Sequence, residues 1–141
     1  MKISLKRINS SYNFETVNEN GDIVLLDNRS EDVLNGSSPM DLLLRAIAGC
    51  SSIDIVYILK KQKIELDNIK VEVEGIRKEG NIPNVFTEII LTIFIEGDLP
   101  EAKLLRAAEL SFTKYCSVSK MLEKAAKINY VIFLNGSEIK V

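Results

Sequence analysis

The sequence predicts an α+β fold built as one domain over residues 1–141. Three observations lead there. Short runs of alternating apolar and polar residues come in groups: three near the start, two in the middle and one near the end. Helical stretches separate these groups rather than following every strand, which argues for α+β and against a regular βαβ alternation. One of the helices is apolar around most of its circumference, so it is expected at the centre, covered on several sides.

The elements follow in order. In KISLKR (2–7), Ile3 and Leu5 alternate with Lys2, Ser4 and Lys6. YNFETV (12–17) alternates again, and ENGD (19–22) makes a hairpin-type turn into DIVLLD (22–27). A polar loop, residues 28–38, leads to Ser38, Pro39 and Asp41, which together form a helix start. Serine caps, proline takes the first helical position, and the carboxylate complements exposed N–H groups. This helix is expected to run to about Lys61, its basic end suiting the negative pole of the dipole. NIKVEVEGIR (68–77) and the more apolar VFTEIILTIFIEG (85–97) read as strands, the second a central one. A second helix is expected from Asp98 through Tyr115, interrupted at CSVS (116–119) and resumed as KMLEKAAK (120–127). INYVIFL (128–134) is the last expected strand, followed by NGS and a tail.

Composition removes several classes of function. The net charge of −2 has no basic stripe with interleaved aromatics, so no nucleic-acid partner is expected. There is no histidine, which excludes imidazole acid–base chemistry. Two cysteines do not supply the four Cys/His ligands of a structural zinc site, so no metal is expected. Neither GxGxxG nor GxxxxGK[ST] occurs, so no phosphate loop is expected. Residues 39–59 are long enough to span a bilayer, but Asp41, Arg45 and Asp54 lie within them. Each costs roughly 2.5–3.5 kcal/mol near a membrane centre, so a core helix is preferred and no membrane partner is expected. The opening MKISLKRINS has no apolar run of the secretory type, and the expected location is the cytoplasm.

Any chemistry then falls to thiols, carboxylates, tyrosines or cations. Cys50, mid-helix among Ala46, Ile47 and Ile53, has by itself the character of core filler. Asp54, one turn on, opposes a thiolate there, and Arg45 does not share its face. Cys116 lies at the expected start of a helix, with Lys114 and Lys120 nearby in sequence, a setting that favours a thiolate. By themselves Asp41 reads as a cap, Tyr57 and Tyr115 as packing groups, and Lys60, Lys61 and Lys63 as a solvated helix end.

Two segments together, SSPMDLLLRAIAGCSSIDIV and KYCSVSKML, resemble the two cysteine motifs of the OsmC-like family, which includes the organic hydroperoxide resistance proteins. The first matches Ser/Asn-Pro-x-x-Leu-Leu followed by Ala-x-x-x-Cys, with eleven residues from Pro39 to Cys50. The resemblance implies an intertwined homodimer of antiparallel-rich sheets around a long buried central helix. It also implies thiol-dependent reduction of organic hydroperoxides in oxidative-stress defence. Cys50 would be the peroxidatic residue and Cys116 the resolving one, with a dithiol as reductant and no metal, flavin or haem as cofactor.

Some positions depart from the family's pattern. Its activating glutamate directly follows the proline, where this chain has Met40; the acid here is Asp41, one residue and about 100° further round the helix. The activating arginine has only Arg29 as a candidate, and Ser117 stands where the second motif carries proline. These differences place the chain nearer the less characterised OsmC-like branch. The rival reading is a non-catalytic dimer of the same family that senses redox state or binds a small apolar ligand.

Overall fold

The structure is a computed structural model and describes residues 1–28 and 35–140. The fold is α+β, and the chain divides into two compact units, Met1–Leu43 and Leu44–Val141.

The first unit is an antiparallel meander of β1 (Ile3–Arg7), β2 (Phe14–Asn18) and β3 (Ile23–Leu26). Arg7 pairs with Phe14, and Phe14 in turn with Leu26. The second turn is organised by Asn18, whose Oδ1 accepts the amides of Asn20 and Asp22 at 2.9 Å each, as an Asx turn does. Beneath the strands lies a polar pair: Asn13 Nδ2 donates to Asp27 Oδ2 at 2.6 Å, and the Asn35 amide donates to the same oxygen at 3.0 Å. Gly36 is required where it stands, because a Cβ there would fall 2.6 Å from the Leu25 carbonyl oxygen. At the end of this unit the expected helix start appears as a reciprocal cap. The Asp41 amide donates to Ser38 Oγ, and the Ser38 amide donates to Asp41 Oδ2, each at 3.2 Å.

α1 (Pro39–Lys61) begins there and continues through the second unit. Its length and apolar composition alone would allow a membrane crossing. Within the chain, however, one stripe of it is fully buried: Ile47, Ser51, Ile55 and Leu59, spaced by four. On other faces Ile53 is 70% exposed and Tyr57 56%.

The second sheet has the order β4-β5-β6-β7, with β4 (Asn68–Arg77), β5 (Phe86–Glu96), β6 (Lys127–Leu134) and β7 (Ser137–Ile139). β5 is the inner strand expected from its apolar run. Ile89, Leu91, Ile93 and Ile95 are buried on one face, as the two-residue period requires. β4 pairs with it antiparallel and β6 parallel. A parallel neighbour needs a crossover, and the helical region between β5 and β6 supplies it.

That crossover is α2 (Glu101–Leu110), a π-helical turn (Ser111–Tyr115) and α3 (Ser117–Leu122). Leu104, Ala107 and Ala108 form the buried face of α2. The break expected at CSVS is present, but its form differs. The helix first widens by one residue, the Cys116 amide bonding to the Ser111 carbonyl at 2.8 Å, five residues back. Only then does it stop, with Cys116 extended at φ −68°, ψ 99°.

Three boundaries move. α2 starts at Glu101 because Pro100 is still extended (ψ 126°). α3 ends at Leu122 rather than Lys127: the amides of Ala125 and Ala126 both turn back to the Leu122 carbonyl at 2.9 Å. Lys127 is taken by the ladder to Glu88, so strand pairing overrides the helical preference of KAAK. The tail is not a tail. Asn135 and Gly136 adopt positive φ (50° and 84°), a hairpin turn that returns β7 along β6.

Candidate redox site

The crossover brings its break against the middle of α1. Cys50 projects from α1 half-buried, and Asp54 follows one turn later on the same face. Cys116 sits at the head of α3, fully buried. Both cysteines are free thiols. The two sulfurs and an Asp54 carboxylate oxygen all lie within 4.8 Å of one another.

Three serines hold this cluster. Ser111, the first residue of the π turn, directs its hydroxyl at α1, where Asp54 Oδ2 (3.3 Å) and the Ser51 carbonyl (3.4 Å) are its two acceptors. The hydroxyl has one proton for the two. Ser51 is itself buried and bonds back to the Ile47 carbonyl at 2.8 Å, which satisfies it inside the helix. Ser119 serves the other side, donating both its hydroxyl (3.1 Å) and its amide (3.3 Å) to Cys116 Sγ. Cys116 thereby fills the cap position of α3 that a serine or aspartate ordinarily takes.

The electrostatics oppose one another at Cys116. Burial pushes its thiol above the usual range, and a hydrogen bond with Cys50 adds to this, while the two donors from Ser119 pull it down. Burial prevails, so the site holds this thiol protonated through neutral pH. The favourable helix-start setting expected from sequence is present, but it is outweighed by desolvation.

Asp54 also lines a cavity of about 450 Å³ with Tyr57, Ile58, Lys61, Leu110 and Tyr115. Its lining is largely apolar and aromatic, with Asp54, Lys61 and Gln62 as the polar members. Lys61 Nζ lies 4.7 Å from the centre of the Tyr57 ring, and Lys114 Nζ 5.2 Å from that of Tyr115. The aspartate is common to the cavity and the thiol cluster, although neither cysteine lines the cavity.

Of the residues singled out from sequence, Cys50 and Cys116 meet here. Asp41 engages the Ser38 cap, and Arg29 lies outside the described residues. Asp54 carries more weight than its reading as an opposing charge suggested; its four-residue spacing from Cys50 was the available signal. Ser111 and Ser119 carried no signal, because their roles depend on the π turn and on the break that follows it.

Comparison with known proteins agrees with this architecture. A curated relative, protein YhfA of Escherichia coli K12, is 41% identical over 111 residues, 78% of this chain and 81% of its own length. The OsmC-like protein of Mycoplasma pneumoniae superposes with a TM-score of 0.81 at 20% identity, covering 94% of this chain and 95% of that one. The organic hydroperoxide resistance protein OhrB of Bacillus subtilis superposes with a TM-score of 0.68 at 15% identity, covering 94% and 96%. At those identities the two structures share the fold. The family model described as OsmC-like protein matches residues 30–131, a span holding both cysteines and the whole crossover, and the chain belongs to that family.

Proposed function

We propose that the protein is a thiol-dependent peroxidase that reduces organic hydroperoxides, with Cys50 peroxidatic and Cys116 resolving. The observation that carries the reading is the meeting of the two thiols and Asp54 within 4.8 Å, beside an apolar cavity. The organic hydroperoxide resistance proteins that share the fold support it.

The chemistry balances in three steps. The Cys50 thiolate attacks the outer oxygen of the hydroperoxide, the O–O bond breaks, and the alkoxide leaves with a proton as alcohol. Cys50 is now a sulfenic acid. Asp54 is the group that moves the proton, taking it from the Cys50 thiol and returning it to the alkoxide. Cys116 then attacks the sulfenic sulfur, forming the disulfide and releasing water. A dithiol reduces that disulfide and returns both thiols, through a mixed disulfide. Cys50 is the attacking residue because it is half-open, whereas Cys116 is fully enclosed.

The working unit is a homodimer in the cytoplasm, the second copy covering the apolar faces of α1 that carry Ile53 and Tyr57. The test is consumption of an organic hydroperoxide with dithiothreitol or dihydrolipoamide as donor. Wild type is expected to turn over repeatedly and Cys50→Ser to match the protein-free blank. Turnover that survives Cys50→Ser unchanged would refute the assignment.

A further inference from the structure

The same three side chains are also donor groups of the kind that ligate metals. Three atoms within 4.8 Å of one another always enclose a point no more than about 2.8 Å from each. Zinc–sulfur bonds are about 2.3 Å and zinc–carboxylate bonds about 2.0–2.2 Å, so each ligand atom needs to move inward by only ~0.5–0.8 Å. Cys50 and Asp54 sit one helical turn apart, a spacing that lets two side chains on one helix share a metal. Cys116 arrives from the opposite side, so the ligands do not come from a single element.

We propose that the reduced Cys50–Asp54–Cys116 cluster is a binding site for one thiophilic divalent cation of the zinc class. Two sulfur donors select a soft or borderline ion over magnesium or calcium, which prefer all-oxygen shells. The surrounding bonds are those a metal site uses to orient its ligands. Ser119 donates twice to Cys116 Sγ, which on losing its proton to a cation keeps one lone pair for the metal, and Ser111 is placed to donate to one Asp54 oxygen, leaving the other available. Three protein ligands leave the fourth tetrahedral position open. The site exists only in the reduced state, because a Cys50–Cys116 disulfide removes two of the three donors.

The test needs no peroxide and so stands or falls apart from the hydroperoxide reading. Reduced protein is titrated anaerobically with Co²⁺ and with Cd²⁺, following thiolate-to-metal charge-transfer absorption. Zn²⁺ affinity is measured by competition with a chromophoric chelator. The expected result is one ion per chain, with charge transfer from two thiolates. Asp54→Asn, which keeps both cysteines, is expected to weaken zinc at least about tenfold. Wild type oxidised with diamide, which takes two electrons and two protons from the thiol pair, is expected to bind none. That arm needs no substitution, so it holds even if a variant fails to fold. Absence of stoichiometric binding by the reduced chain overturns the proposal. Equal binding by Asp54→Asn, or by the disulfide form, overturns it too.

Discussion

The middle of α1 and the junction between the π turn and α3 each present one cysteine, and they do so in opposite ways. Cys50 sits in unbroken helix, half-open, with the cavity wall and a carboxylate on its own face. Cys116 sits where a helix fails, fully enclosed, with two hydrogen bonds aimed at its sulfur. The regular element supplies access and the irregular one supplies polarity. A buried thiol with donors is suited to react with a neighbour already placed beside it, and an accessible thiol to meet a molecule from outside. In the proposed reaction this contrast gives the first step to Cys50 and the second to Cys116.

The largest effect expected from breaking this contrast is at Cys116. Cys116→Ser should consume a single equivalent of hydroperoxide and then stall as a Cys50 sulfenic acid, seen by mass spectrometry after dimedone trapping. Continued oxidation of the variant to a disulfide within one chain is impossible, so normal turnover would mean that Cys116 has no resolving role.

A smaller effect is expected at Ser119. Ser119→Ala removes the hydroxyl donor and leaves the amide, a loss of about 0.5–1.5 kcal/mol. Disulfide closure measured by stopped flow should slow by roughly two- to twelvefold at neutral pH. The first oxidation at Cys50 should be unaffected, a split that a general loss of stability would not produce.

The smallest effect is on stability against pH. The Cys116 thiol titrates above its unfolded value of about 8.5, so the folded state holds its proton more tightly than the unfolded chain does. Stability from this group is complete below that value and falls as pH rises through the folded one. Urea unfolding of the reduced protein should show this alkaline decline, and Cys116→Ser should lessen it. Tyr130, raised by burial and by Glu109, acts in the same direction, so the comparison between variants rather than the slope itself is decisive.

Much of the architecture could be read from periodicity. β4 and β5 alternate cleanly, and Ser38, Pro39 and Asp41 start α1 where a cap should be. The misses have physical causes. KAAK has helical propensity, yet Lys127 is claimed by the ladder to Glu88, a partner 39 residues away that no local window contains. Asn135-Gly136 is a hairpin signal, but the strand that follows it is only three residues long, too short for its alternation to show. The thiol positions were legible from their motifs, but not the placing of Ser111 and Ser119 beside them. That depends on a helix widening by one residue, and no residue of SFTKY announces it.

That widening has a consequence for how the chain can change over time. In a plain α-helix each residue turns the next by about 100°, so every position beyond residue 111 owes its compass bearing to one surplus amino acid. Substitutions at the exposed Thr113 and Lys114 alter side chains only, whereas a deletion anywhere in SFTKY would swing Cys116 and Ser119 away together. The meeting of the two thiols is thus tolerant of spelling at those two positions and intolerant of length throughout. Across relatives, the exposed positions of this short stretch should vary in letters while the stretch keeps its count.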